Sequence, residues 1–300
     1  MKSNSYHETV LVDEVIDGLH INKGSRYVDA TLGSGGHSLA ISENGGTVLG
    51  IEIDPKMLSI ANKRFEEEKI DTNNYKFVQG NFENIDLIAR NEGFTDVSGI
   101  IFDLGVSNVH LKDQIRGFSF ENSEASLDMR LDPESIGVKG SDLLGVLRED
   151  QLRELFEVTL LPGAAIWLSK KIIKFRTETP ILTVGDFIKA CQGLKIDKVG
   201  LNPATLPFLA LRIAVNSELA NLKDALPKAF ELIAPGGRLL VISFHSKEDV
   251  IVKEYFRNLV SGNLAQAITY KPLMPSEKEI LGNRKSRSAK LRIIQKNEIL

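Results

Sequence analysis

Ten residues, Asp29-Ala30-Thr31-Leu32-Gly33-Ser34-Gly35-Gly36-His37-Ser38, constrain this chain more than any other feature. They continue a strand-like run, Tyr27-Val28, and their glycines let the backbone turn tightly and approach a ligand before a helix begins. A second short strand closes on Ile51-Glu52-Ile53-Asp54-Pro55. A carboxylate there can accept hydrogen bonds from two ribose hydroxyls. Glycine loop followed by acidic strand end is the pattern of a nucleoside-type cofactor site on an α/β sheet.

Spacing chooses among such cofactors. A dinucleotide fingerprint needs Gly-x-Gly-x-x-Gly with pyrophosphate on the helix N-terminus, but counted from Gly33 the last position is Ser38, and His37 intrudes. NAD or FAD, and with them an oxidoreductase, fit poorly. A cofactor without a phosphate to cradle, such as S-adenosylmethionine, needs close backbone approach and polar partners for an amino-acid group, and this loop supplies both.

The surrounding pattern alternates. Strands are expected at 25–31, 47–54, 75–79 and 99–104, with helices at 36–44, 55–70 and 84–92, which predicts a parallel sheet with right-handed crossovers. Ligands of such a sheet sit at the carboxyl ends of its strands, where 33–37, Asp54, Asn81-Phe82 and Asp103 all fall. Residues 106–205 lack a β-period and predict helices at 141–158, 166–174 and 184–191. The α/β rhythm returns with a helix from 203 to 234 interrupted near Pro227, a helix stop at Pro235-Gly236-Gly237, a strand at 238–244, a helix at 247–260, and β-like runs at 267–272 and 289–295. The expected organisation is a doubly wound α/β domain made of 1–105 and 206–300, with a helical insert at 106–205.

A single cysteine, Cys191, excludes an intramolecular disulfide and a cysteine zinc cluster. With a polar N-terminus and no apolar run near the ~20 residues of a spanning helix, a soluble, cytoplasmic protein is expected, with neither membrane nor metal partner. The net charge of −3 hides an asymmetry: residues 1–105 carry nine basic and seventeen acidic side chains, whereas 251–300 carry ten and four. Such a basic end suits either a polyanion partner or plain solvation.

Several segments occur in a distinctive order: His7-Glu8-Thr9-Val10-Leu11, the 29–38 loop, Asp103-Leu104-Gly105-Val106-Ser107, Arg116-Gly117-Phe118-Ser119-Phe120, Leu127-Asp128-Met129-Arg130, Asn202-Pro203-Ala204-Thr205, Val215-Asn216-Ser217-Glu218-Leu219 and Ile242-Ser243-Phe244-His245-Ser246. Over nearly its whole length the chain resembles the bacterial 16S rRNA cytosine-N4 methyltransferases, the RsmH (MraW) family. The resemblance implies a class I S-adenosylmethionine-dependent methyltransferase fold with an inserted helical substrate-recognition domain. It also implies methylation of one cytidine N4 in the decoding region of 16S rRNA, in the small ribosomal subunit. Matched motif to motif, it places S-adenosylmethionine at Gly35, Gly36, His37, Asp54, Phe82 and Asp103, and at His110, where the family normally bears glutamine.

The chain departs from the family pattern in places. Asn108 replaces a serine, Glu52 replaces the usual first acidic Asp, a segment at 156–166 lacks the family's Tyr-Gly-Glu-Glu, and Asn202, Leu206, Leu209 and Ala214 stand where histidine, arginine, glutamine and tryptophan are usual. These changes gather in or beside the insert, which keeps open a methyltransferase of altered RNA target, or a non-catalytic ribosome-binding protein on the same fold.

Individual residues carry competing readings. Asp54 can serve the ribose, or cap a helix that starts at Pro55. Asp103 ends the apolar run Ile100-Ile101-Phe102, where packing has no use for a carboxylate. As the catalytic candidate it, or a backbone carbonyl of Leu104-Gly105, would accept from the protons of a cytosine amine, whose lone pair is conjugated into the ring. Phe118 and Phe120 suit either base stacking or a core. Asp128 and Arg130 read as a structural ion pair. His245 suits a base pocket or a satisfied structural role. Lys170, Lys171, Lys174 and Arg176 read as a solvated helix face, whereas Arg284, Lys285 and Arg287, with Lys290 and Arg292 close behind, read as phosphate-binding cations for RNA.

Overall fold

The computed structural model describes residues 9–111, 113–196 and 200–298, so His7 and Glu8 of the N-terminal motif lie outside the described residues. The first elements are α1 (Val12–Leu19), β1 (Arg26–Asp29), α2 (Gly36–Glu43), β2 (Thr47–Glu52), α3 (Pro55–Glu67), β3 (Tyr75–Gln79), α4 (Ile85–Asn91) and β4 (Val97–Asp103). Helices follow: α5 (Asn108–Leu111), α6 (Gly140–Val146), α7 (Glu149–Glu157), α8 (Pro162–Glu178), α9 (Val184–Cys191), α10 (Thr205–Val215) and α11 (Glu218–Leu232). The chain ends with β5 (Ile233–Ser243), α12 (Ser246–Ser261), β6 (Ala265–Ala267), α13 (Glu277–Gly282) and β7 (Lys290–Lys296). It divides into two compact units, 1–107 with 219–300, and 108–218. Among the described residues no helix is long and apolar enough to cross a membrane.

In the first unit the strands form one sheet of order β3-β2-β1-β4-β5-β7-β6. Neighbours from β3 through to β5 are parallel, and β7 runs antiparallel to both β5 and β6. This is a class I, Rossmann-like sheet, and its order reverses between β1 and β4, which opens a crevice at their carboxyl ends. Side chains alternate between two apolar layers, as a sheet covered on both faces requires. Val28, Ile100, Phe102, Leu239 and Val241 enter one layer with α4, α11 and α12. Tyr27, Ile101, Leu240 and Ile242 enter the other with α1 and α2. Each such fully buried side chain contributes about 1.5–3 kcal/mol.

Five features differ from the sequence-based expectation. The helix expected at 141–158 is two, because Leu147 is extended at the end of α6 and Arg148 starts α7. The helix expected at 203–234 breaks at Ser217, which adopts φ 51, and not at Pro227, which α11 accommodates. Pro235-Gly236-Gly237 is no helix stop: α11 passes directly into β5, and Gly236, at φ 79, sits where the register against β4 shifts between Val97 and Gly99. The β-like run at 267–272 contracts to Ala265–Ala267. Helix α1 was not anticipated because Leu11, its N-cap, carries no capping side chain; the Leu11 N–H instead donates to Glu279 Oε1 at 2.8 Å.

The second unit closes at 218, against the expected 205, because α10 packs inside it. Phe208 of α10 meets Phe187 of α9 and Phe120, with ring centroids 4.8 and 4.7 Å apart, and Phe156 of α7 stacks on Phe187. Asn216 anchors the start of the unit, accepting from the Leu131 N–H at 2.9 Å and donating to the Met129 carbonyl at 2.8 Å. The Asp128–Arg130 pair is structural, as expected: two hydrogen bonds of 2.6 and 2.8 Å join them, and Arg130 also donates to the carbonyls of Pro133 and Ile136.

Candidate active site

The glycine loop joins β1 to α2, and its residues demand their identities. Gly35, the N-cap of α2, adopts φ 78, a left-handed conformation that a side chain disfavours. A Cβ on Gly36 would lie 1.7 Å from the Thr9 hydroxyl oxygen. Only glycine passes beneath the N-terminal segment.

Four carboxylates border this loop. Asp29, at the end of β1, accepts from the Ser38 hydroxyl at 2.7 Å and the Thr31 N–H at 3.2 Å. Glu52, at the end of β2, bridges two turns: Oε2 accepts from the Gly33 N–H at 2.7 Å and Oε1 from the Asp54 N–H at 2.8 Å. Asp54 is almost wholly buried and accepts from the Lys56 N–H at 2.8 Å, capping α3 ahead of Pro55. Asp103 ends β4, its N–H donating to the Thr31 hydroxyl at 2.6 Å and its side chain 25% exposed.

His37 sits among them. It is 3% exposed, its Nε2 is 3.5 Å from Asp103 Oδ2, and among the described residues neither ring nitrogen has a hydrogen-bond partner; nor does Asp103 Oδ1. Burial by itself would lower the imidazole pKa, but Asp103 and then Asp29 outweigh it and hold His37 above its ordinary value. Burial raises Asp29 against the lowering effect of His37, Ser38 and Thr31, and pushes Glu52 up to about 7.

The arrangement discriminates between cofactor classes by charge. A pyrophosphate would enter a field of carboxylates and be repelled, whereas a cation gains from it, and more so where water is thin. S-adenosylmethionine, with its sulfonium and ammonium groups and no phosphate, fits the acidic crevice, the glycine cradle and the buried atoms of His37 and Asp103 that lack a partner among the described residues.

The remaining expected site residues are scattered. Phe82, in a 3-10 turn after β3, is half-buried and meets Phe102 edge-on with centroids 5.7 Å apart. His110 belongs to the second unit, 4% exposed, its ring centroid 5.5 Å from that of Phe118. Phe118 is buried and Phe120 packs on Phe208, which favours their core reading. His245 caps α12: its Nδ1 accepts from the Glu248 N–H at 3.3 Å, and Glu248 Oε2 accepts from the N–H groups of Phe244 and His245. Its structural role is thereby accounted for.

Arg284 and Arg287 are exposed on a 3-10 turn, while the Lys285 side chain lies outside the described residues. Lys290 and Arg292 correct the reading of a five-cation cluster. Both donate to Asp249, at 3.2 and 2.7 Å. In α8, Lys170 and Lys174 are exposed, but Arg176 donates to the carbonyls of Leu144 and Leu147.

Sequence reasoning gave no role to Asp29 and Thr31, and treated Glu52 only as a mild replacement. Their signal was position: acids or hydroxyls within two residues of a strand's carboxyl end.

Residues 4–297 match the MraW methylase family. Ribosomal RNA small subunit methyltransferase H of Brevibacillus brevis is 34% identical, over 97% of this chain and 98% of its own length. The protein of the same name from Methylacidiphilum infernorum is 38% identical, over 97% of this chain and 94% of its own. Among solved structures, an rRNA methylase from Streptococcus thermophilus aligns with 96% of this chain and 94% of its own at 14% identity, with a TM-score of 0.46.

Proposed function

The chain belongs to the MraW methylase family, and from that premise we propose that it methylates N4 of a cytidine in the decoding region of 16S rRNA, presented by the small ribosomal subunit. It is an S-adenosylmethionine-dependent rRNA methyltransferase. The observation that carries the finer reading is the pairing of an acidic, phosphate-excluding crevice with Asp103 at the end of β4, beside buried His37.

Bound in the crevice, S-adenosylmethionine supplies a methyl group activated by its sulfonium charge. Gly35 and Gly36 admit the amino-acid end to the backbone, and Phe82 flanks the adenine. Of the two acids at the end of β2, Glu52 already serves the backbone with both oxygens, accepting from the Gly33 and Asp54 N–H groups, so the ribose is assigned to Asp54, which also caps α3. Asp103 accepts a hydrogen bond from the cytosine amine, which helps its conjugated nitrogen rehybridise as it attacks the methyl group. The reading rests on these residues of the first unit; His110 packs against Phe118 in the second.

Affinity for RNA comes from the exposed Arg284 and Arg287, with Lys285 between them in sequence, and from the nearby stretch around Tyr270, which is 91% exposed. A second reading, the same chemistry on another nucleotide, is favoured by Leu206 and Leu209, half-buried apolar residues on α10 where polar ones are usual in the family. Incubating small-subunit particles with labelled S-adenosylmethionine and mapping the product by mass spectrometry separates the two. N4-methylcytidine in the decoding region is expected; methylation elsewhere supports the second reading, and none at all contradicts both.

A further inference from the structure

The buried imidazole of His37 does more than line the crevice. Among the described residues its nitrogens meet no backbone carbonyl, no hydroxyl and no amide. A buried polar side chain is ordinarily satisfied by such groups, yet the polar atom that Nε2 faces is Asp103 Oδ2, at 3.5 Å. The scaffold around the pair is knit from three elements. Asp29 of β1 holds the Ser38 hydroxyl, next to His37 on α2, and also holds the Thr31 N–H. The Thr31 hydroxyl accepts from the backbone N–H of Asp103 on β4. The loop that positions the imidazole thus also positions the carboxylate it faces.

We infer that His37 is a positioning residue for Asp103: its Nε2, 3.5 Å from Oδ2, holds the carboxylate oriented to receive the proton of the substrate amine. The inference rests on the methyltransferase reading of Asp103. Methyl transfer leaves the amine nitrogen with one proton more than the product carries. That proton passes to the Asp103 carboxylate, and the N–H bond's electron pair stays on nitrogen. The imidazole beside Oδ2 fixes the orientation in which the carboxylate meets this proton. The charged groups acting on the imidazole are Asp103 from β4 and Asp29 from β1, with no cation among them. Both favour the imidazolium, against burial, which opposes it.

This assignment separates from a mere cofactor contact. A side chain that only touched the cofactor would change affinity and leave the turnover of the saturated enzyme alone. A positioning imidazolium changes turnover and adds a limb to its pH profile.

The test begins with histidine-labelled full-length chain and no ligand. In an NMR titration His37 should deprotonate above the ordinary imidazole value, and Asp103→Asn should lower its midpoint by about one pH unit or more. A midpoint at the ordinary value, or one that Asp103→Asn leaves in place, overturns the proposal. His37→Gln keeps a donor but no charge. With saturating cofactor and small-subunit particles its kcat should fall about tenfold to a hundredfold, and the fall of the wild-type rate as pH rises through the His37 midpoint should vanish. Unchanged kcat and pH profile, with only cofactor affinity weakened in calorimetry, also overturns the proposal. If His37→Gln does not fold, the titration of wild type and Asp103→Asn decides. Failure of the wild-type chain to methylate small-subunit RNA counts against the proposed function, while the ligand-free titration still reports on the His37–Asp103 link.

Discussion

At the carboxyl ends of β1, β2 and β4 the carboxylates of Asp29, Glu52, Asp54 and Asp103 crowd one loop, and three of the four are almost wholly buried. Between 284 and 292, in the same unit, cations crowd the sequence just as densely, yet they part company in space: Arg284 and Arg287 face solvent, while Lys290 and Arg292 both hold Asp249. Charge density along the chain therefore means different things in the two regions. In the crevice every acid touches a backbone N–H or His37 and serves one site. In the basic segment the exposed arginines of the 3-10 turn are open to a partner, whereas Lys290 and Arg292, two residues apart on one face of β7, are structural.

Substitutions can break this contrast. The largest effect is expected at Asp103, which is partly exposed and contributes little packing. Asp103→Ala should reduce methyl transfer about a hundredfold or more with the melting temperature near that of wild type. A rate within a few-fold of wild type would remove the crevice's claim to the chemistry and leave the carbonyls of Leu104 and Gly105 as acceptors.

Next is the dependence of stability on pH. Glu52 is raised by burial from an ordinary 4.5 to about 7, so the unfolded chain ionises it first. Its contribution to stability is fully present below about 4.5, declines between 4.5 and 7, and is lost above 7. The difference corresponds to an upper limit of about 3 kcal/mol. Denaturant melts of Glu52→Gln across this range should show a flatter profile than wild type; parallel profiles would contradict the buried, raised carboxyl. Asp249 has the opposite sign. Burial would raise it, but hydrogen bonds from Arg292 and Lys290 prevail and lower it, so its contribution is present above the ordinary carboxylate range and is lost as pH falls through the lowered value.

Removing that partner tests the division among the cations. Asp249→Ala should destabilise the fold by about 1.5–3 kcal/mol, the worth of hydrogen bonds to charged groups, measured by urea unfolding. No change in midpoint would mean that Lys290 and Arg292 are as unengaged as their neighbours. The smallest effect is expected from Arg284→Ala with Arg287→Ala, which should weaken small-subunit binding and flatten its log–log salt dependence by about 0.7–0.9 for each phosphate no longer neutralised, with stability intact. An unchanged salt slope would shift RNA binding to Lys170 and Lys174 of α8.

The legible parts of the sequence were those with local rules. Short apolar runs such as Ile100-Ile101-Phe102 placed the strands, and strand ends placed Gly35, Gly36, His37 and Asp103 around one crevice. Contacts distant in sequence were illegible. Nothing local links Asp249 to Arg292, or Asn216 to Met129, and those contacts decide respectively which cations are engaged and how the second unit is anchored. Capping chemistry misled in both directions. Pro235-Gly236-Gly237 has the composition of a helix stop but lies in β5, whereas α1 begins at Leu11 without a capping side chain. The bridging role of Glu52 was hidden for a related reason: it depends on where the N–H of Gly33, nineteen residues earlier in sequence, points in the folded chain.

The claim that the crevice divides labour between its two β2-end acids has a direct test in calorimetric titration of S-adenosylmethionine into Glu52→Ala and Asp54→Ala, each confirmed folded. Loss of hydrogen bonds to the ribose should weaken binding to Asp54→Ala by about tenfold or more, beside a loss of the α3 cap worth about 0.5–2 kcal/mol of stability. Glu52→Ala should chiefly release the Gly33 and Asp54 turns, with a smaller change in affinity. If instead Glu52→Ala abolishes binding while Asp54→Ala binds like wild type, the ribose lies on Glu52 and the division of roles proposed for the crevice is wrong.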